Sequence, residues 1–187
     1  MTTQVHYRLT RASDAPSVAA LHVESWRRHY RGAYSDAFLD GDVVAERAAI
    51  WAQRLREPQA GQFTIVADSA GLLVGFVHAV LDADPVWGTL VDNLHVDHRR
   101  KRSGIGSRLM GEAAQLVTQH RPDAGLYLWV LEQNVSAQRF YEAKGGVCVE
   151  RSLTQAPGGV PANLNGAPIK LRYAWSDPSS LNPPPRH

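Results

Sequence analysis

Residues 88–119, GTLVDNLHVDHRRKRSGIGSRLMGEAAQLVTQ, decide how this chain is read. The first nine, 88–96, carry the apolar and β-branched residues of a strand. Four consecutive cations follow, Arg99, Arg100, Lys101 and Arg102, and then Gly104 and Gly106. From 104 to about 119, Ile105, Leu109, Ala113 and Leu116 recur on one face of a helix. Glycines where a strand turns into a helix let main-chain N–H groups approach an anion, and the helix N-terminus adds roughly half a positive charge. Lys101, Arg102 and Arg108 supply full charges, so the segment suits a pyrophosphate. It is neither of two common phosphate loops. No GxxxxGK[ST] run occurs, and Leu109 stands where the third glycine of GxGxxG belongs.

Outward from this segment, 125–131 (GLYLWVL) is apolar almost throughout, like a strand buried on both faces. Strand 88–96, helix 104–119 and strand 125–131 therefore predict a right-handed crossover between parallel strands. Residues 97–104 then lie at a strand's carboxyl end, where α/β sheets bind ligands. Upstream, 5–11 reads as a strand. A helix capped by Ser13, with Pro16 in its first turn, runs to about Tyr30 and has Ala19, Val23, Trp26 and Tyr30 on one face. A short helical piece at 36–39 and a helix to Arg56 precede a hairpin of strands 62–68 and 72–82. Downstream, Ser136 is the expected cap of a helix through Ala143, and strands near 147–153 and 168–175 flank a Pro/Gly/Asn-rich loop at 155–167. The last segment, 177–187, holds four of the eleven prolines and reads as a disordered tail behind one domain over 1–176. The element order is mixed α/β.

Composition narrows the class. With 187 residues, 44% hydrophobic and 20% charged, the chain is long enough for a core and too apolar for a disordered polymer. No apolar run approaches the roughly 20 residues of a membrane-spanning helix, and the start lacks a secretory signal's apolar stretch. One cysteine, Cys148, forms no internal disulfide and builds no metal site. A cytoplasmic protein without metal and without a membrane partner is expected. A net charge of +2 argues against a nucleic-acid partner.

The order strand LHV, basic run, GIG, amphipathic helix resembles the acyl-CoA signature of the GNAT superfamily of N-acyltransferases. That signature is [RQ]xxGx[GA]; residues 101–106, KRSGIG, match it except that Lys101 replaces Arg or Gln. A second block, residues 126–146, LYLWVLEQNVSAQRFYEAKGG, resembles the family's Nx₆Y unit, with Asn134, Tyr141 and the FYE at 140–142 in register. Its final Gly145-Gly146 lacks the family's usual aromatic after the first glycine. The resemblance covers roughly 5–175. It implies an α/β fold with a central mixed sheet of about seven strands flanked by helices, and CoA in a cleft between two splayed parallel strands. It implies acetyl-CoA as co-substrate, held by the amides of Arg102, Ser103, Gly104, Ile105, Gly106 and Ser107 beside Lys101. The strand backbone at Leu94, His95 and Val96 would pair with the pantetheine arm and supply an oxyanion N–H. Asn134 would bond the pantetheine region.

The activity implied is transfer of an acetyl group to a primary amine by direct attack, through a tetrahedral intermediate. Tyr141 is the expected general acid for the leaving thiolate. Asp92 is the expected general base, provided it is partly buried, because period-2 alternation puts it on the face of Leu94. The same alternation turns the His95 side chain away, into a structural role. Trp26, Tyr30 and Trp129 are expected at the acceptor. Family members that acetylate protein N-termini often carry Glu where Trp129 stands, so a small-molecule acceptor is favoured. The competing readings are a silent acyl-CoA sensor and a transferase acting on a protein N-terminus or aminoacyl-tRNA. A homodimer is the expected assembly.

Overall fold

The computed structural model describes residues 4–182. The strands are β1 (Val5–Leu9), β2 (Gln62–Ser69), β3 (Leu72–Asp84), β4 (Gly88–Val96), β5 (Leu126–Leu131), β6 (Val147–Leu153) and β7 (Ile169–Trp175). The helices are α1 (Ala15–His29), α2 (Asp36–Asp40), α3 (Val43–Arg56), α4 (Ile105–His120) and α5 (Val135–Ala143). The strands form one seven-stranded sheet in the order β1-β2-β3-β4-β5-β7-β6. Every neighbouring pair is antiparallel except β4 with β5, the pair joined by the α4 crossover.

Each face of the sheet has its own core. On one, the stripe Ile105, Leu109, Met110, Ala113 and Val117 of α4 packs on Val77, Val91 and Leu128, joined by Tyr141 of α5. Leu109 and Met110 are fully buried, and burial of such a side chain contributes roughly 1.5–3 kcal/mol. On the other face, Val18 and Leu21 of α1 and Trp51 of α3 close over Val66 and Phe76. The C-terminal half of α1 meets α2 through Trp26, Tyr34, Phe38 and Leu39.

Two local expectations are corrected. The tail is ordered over Asp177 to Asn182: a single turn, Pro178–Leu181, buries Pro178 and Leu181, and Leu181 joins the α4 core. Proline richness reads as disorder, but two apolar side chains with a core to enter outweigh it. The rest of the expected tail, 183–187, lies outside the described residues. The cap of α5 is Asn134 rather than Ser136; its side chain accepts from the Ala137 amide at 3.2 Å.

The parallel pair is short, and its shortness makes the cleft. β4 and β5 are in register only at Thr89↔Leu126, Leu90↔Tyr127 and Val91↔Leu128. At their start they are clamped together. Gly88 has φ +80°, and a Cβ there would lie 2.4 Å from the Gly125 carbonyl oxygen, so only glycine fits. Beyond Val91 the strands part. β3 meets β4 at Ala79↔Val91 and His78↔Asn93, so Asp92 is an extra residue bulged out of the ladder. β5 turns its far end to β7, pairing Trp129↔Arg172 and Leu131↔Lys170.

Candidate active site

A cleft of about 680 Å³ opens where β4 and β5 separate. Its walls are β4 from Val91 to Val96, β5 from Leu128 to Val130, the start of α4, the start of α5, and Ser25, His29 and Tyr30 of α1. It brings together Asp92, Leu94, His95, Val96, Lys101, Arg102, Gly104, Ile105, Gly106, Ser107, Trp129, Asn134, Tyr141 and Tyr30. Among the residues singled out from sequence, Ser103 is exposed on the same loop, and Trp26 is not part of the cleft.

The basic mouth is built from backbone. Gly104, the N-cap of α4, sits at φ +81°, and Arg102 holds the same left-handed region at +62°, uncommon for a non-glycine residue. The turns aim successive amides at one concavity. The first helical bond of α4 is Arg108 N–H to the Gly104 carbonyl, 3.0 Å. The amides of Ile105, Gly106 and Ser107 therefore have no acceptor within the helix and stand ready for an anion. Arg100, Lys101 and Arg102 line the same mouth. Arg99 does not contribute, because its guanidinium is spent on Asp97 at 2.8 Å.

Across the cleft, α5 presents Asn134 and Tyr141, seven residues apart and hence two turns along one face. Asn134 uses its oxygen as the cap, which leaves its amide N–H₂ to donate to a ligand. Tyr141 is buried against Phe140, Tyr173 and Trp175. Burial raises the pKa of its hydroxyl well above the ordinary tyrosine value, with Tyr30 adding to the effect. It stays a protonated donor at any working pH.

The third wall departs from expectation at Asp92. The bulge cancels the period-2 argument: Val91 and Leu94, three apart, both face the α4 core, and Asp92 turns with Asn93 to the α1/α3 face. There its carboxylate accepts from Asn93 Nδ2 at 2.6 Å and pairs with Arg54 of α3 at 3.4 Å. Its side chain is 39% exposed, the rest covered by these partners and the strand. Trp26 is corrected too. It lies beneath Tyr30, rings stacked 5.3 Å apart, with the Arg47 guanidinium over its own ring at 4.5 Å from the centroid. The helical stripe that exposes Tyr30 to the cleft carries Trp26 one turn deeper into the core.

His95 points away from Leu94, as alternation requires, and meets α1. Its Nδ1 is 2.7 Å from Ser25 Oγ, and its ring lies 4.7 Å from that of His22. His22 accepts from Trp51 Nε1 at 2.9 Å, so its proton sits on Nε2. Burial and nearby cationic groups hold both imidazoles neutral, His95 pulled down to about 3. Ser25, which lines the cleft, and Arg54, which pairs with Asp92 there, were missed by sequence reasoning. Neither belongs to a motif; each reaches the site through packing against β4.

One further group stands beside the mouth: Glu24, Asp97 and His98 have ligand atoms within 4.8 Å of one another. Asp97 is already paired with Arg99, and Glu24 with His98 at 2.7 Å. Among the described residues no helix is long and apolar enough to cross a membrane.

A parallel pair that splays beyond a bulge, with a glycine loop at one mouth and an Asn/Tyr helix across from it, defines a class, and comparison with known proteins gives that class its name. Residues 23–146 match the Acetyltransferase (GNAT) family, and the chain belongs to it. A similar curated protein is the probable N-acetyltransferase Rv2775 of Mycobacterium tuberculosis, 28% identical over 159 residues that span 83% of this chain and 87% of that protein. The PaiA N-acetyltransferase of Thermoplasma acidophilum, solved in complex with coenzyme A, shares the fold with a TM-score of 0.71 at 17% identity, over 92% of this chain and 99% of that one. NAA60 of Arabidopsis thaliana, solved with a bisubstrate analogue, gives 0.65 at 18% identity over 92% and 97%.

Proposed function

We propose that this protein transfers the acetyl group of acetyl-CoA to a primary amine of a small molecule. The observation that carries the reading is the splay of β4 from β5 beyond Val91, with unpartnered amides of α4 at one mouth and Asn134 and Tyr141 across from it. The amides of 102–107, with Lys101 and Arg102, hold the pyrophosphate. The free edge of β4 at Leu94, His95 and Val96 pairs with the pantetheine arm, and a main-chain N–H there meets the carbonyl oxygen as it becomes negative. Coenzyme-bearing relatives of the same fold, such as PaiA, support this placement.

The acceptor enters from the α1/α3 side, between Tyr30, Asp92 and Trp129. As the C–N bond forms, the nitrogen becomes strongly acidic, and Asp92, fixed by Asn93 and Arg54, takes its proton. As the C–S bond breaks, Tyr141 protonates the thiolate. On reference values this transfer, from a phenol near 10 to a thiol near 8.5, is uphill by only about 2 kcal/mol. Burial of Tyr141 does not worsen it much, because the thiolate beside it loses the same solvation.

Calorimetry with acetyl-CoA, followed by thiol release across an amine panel, tests the reading on wild type and Tyr141→Phe. The expected result is micromolar binding by both proteins, amine-dependent thiol release by wild type, and a fall in kcat of roughly 10²-fold or more in the variant. Absence of acetyl-CoA binding overturns the proposal. The strand β6 supports a homodimer: it is an edge strand exposed along its length, with Val147 at 62% and Leu153 at 60%.

A further inference from the structure

Beyond the acceptor cleft the sheet continues to β7, and its charges there are unevenly satisfied. Tyr127 and Trp129 of β5 share the α1-side face with Lys170 and Arg172 of β7. The Arg172 guanidinium lies 4.8 Å from the Tyr127 ring centroid and 4.6 Å from that of Trp129. It is neutralised twice over, by Asp84 at 3.1 Å and by Glu150 at 3.0 Å. Lys170 is different. Its ammonium rests 4.3 Å from the Trp129 ring centroid, and among the described residues no carboxylate oxygen pairs with it. Glu150, the carboxylate whose field reaches Lys170, is taken by Arg172; Glu132 is taken by Arg151 at 2.8 Å; Asp92 is taken by Arg54. Burial and the neighbouring Arg172 act against the Lys170 charge and hold its pKa below the ordinary lysine value. An anion arriving beside it would relieve that cost.

Trp129 ties this cation to the reaction. The indole lines the cleft beside Asp92, and Lys170 touches the same ring from β7. β4 has parted from β5 here and Lys170 stands opposite Leu131, but its ammonium reaches back to the Trp129 ring, so an amine against that indole in the cleft is roughly 5–10 Å from it, two contact distances apart. An extended dipeptide spans about 7 Å. We infer that Lys170 receives a carboxylate on the acceptor, and that the substrate class is amines carrying a carboxylate some 7 Å away, as in dipeptides and ω-amino acids, reaching past Trp129. This rests on the acetyltransferase reading above and narrows it.

The test uses paired acceptors: Gly-Phe, Ala-Leu and 6-aminohexanoate, each against its C-terminal amide, with acetyl-CoA and thiol release as the readout. Wild type is expected to prefer the carboxylate of each pair by about tenfold or more in kcat/KM, most of it in KM, as a charge-assisted contact provides. Lys170→Met, which keeps the aliphatic cover over Trp129, is expected to bring that ratio close to one, and Lys170→Arg to retain most of it. Thermal melting of both variants separates lost folding from lost recognition. A wild-type ratio near one, or a ratio unchanged in a folded Lys170→Met, overturns the inference, as does acetyl-CoA binding with no turnover of any pair. Failure to bind acetyl-CoA sinks the transferase reading itself, and calorimetry on the same protein tells the two failures apart.

Discussion

The two ends of the cleft are built by different means. The coenzyme end is mostly backbone: the amides of 102–107 and the open edge of β4, with one side chain, Asn134, from the cap of α5. The acceptor end, as proposed, is side chains brought from four elements, Tyr30 from α1, Arg54 from α3, Asp92 from β4 and Trp129 from β5, with Lys170 behind it on β7. Backbone recognition needs the right turns and tolerates changes of side chain, so Lys101 in place of Arg or Gln costs the mouth no amide. Side-chain recognition depends on identity at every position. One scaffold can therefore keep its donor and change its acceptor.

The largest expected effect sharpens this contrast through pH. His22, His78 and His95 all lie on the α1/α3 side of the sheet, neutral by burial, with His78 and His95 pulled down to about 3. Above pH 6.5 neither folded nor unfolded chain protonates them, and their full stability is present. Below 6.5 the unfolded chain takes up protons that the folded one refuses, so stability falls steadily toward pH 3. Each such histidine adds up to about 1.4 kcal/mol per pH unit, roughly 4 kcal/mol per unit for three. Urea midpoints between pH 7.5 and 5, above the range where carboxylates titrate, should drop steeply; a flat profile there breaks the contrast.

Next in size is an attack on the coenzyme end alone. Gly104→Val puts a β-branched residue at φ +81°, where it is strained by roughly 1–2 kcal/mol, and rotates the first α4 amides out of the concavity. Acetyl-CoA affinity should fall about 10- to 100-fold, while urea midpoints show only the local strain. Affinity unchanged by this substitution would mean that side chains, not amides, hold the coenzyme.

The same division explains what was legible in the sequence. The coenzyme end is written in two continuous segments, because a strand, turn and helix N-terminus are local, and KRSGIG and Nx₆Y need only spacing. The seven strands were legible for a similar reason, since alternation and turn residues are local. The acceptor end depends on pairings far apart in sequence. Alternation assigned Asp92 to the face of Leu94, but the register of His78 with Asn93, set by β3, inserts a bulge that turns Asp92 to the other side. Trp26 and Tyr30 share a helical stripe, and only the packing of α2 decides that Trp26 is core and Tyr30 is wall. The ordering of Leu181 likewise needed the α4 surface.

The smallest effect tests that division at its boundary. Ser25 Oγ is the hydrogen-bond partner of His95 Nδ1 and ties α1 to β4 across the acceptor side. Ser25→Ala removes one hydrogen bond, at a net cost of about 1 kcal/mol. The imidazole would keep its place, held by the rings of His22 and Phe76 at 4.7 and 5.2 Å. His29 at the end of α1 does lie 3.4 Å from Lys101, but Ser25 meets β4 on the acceptor side, so KM for the amine should rise a few-fold, about what 1 kcal/mol allows. The acetyl-CoA dissociation constant should stay level. If the two constants move together in Ser25→Ala, then α1 positions the whole of β4, and the cleft is one recognition unit rather than two.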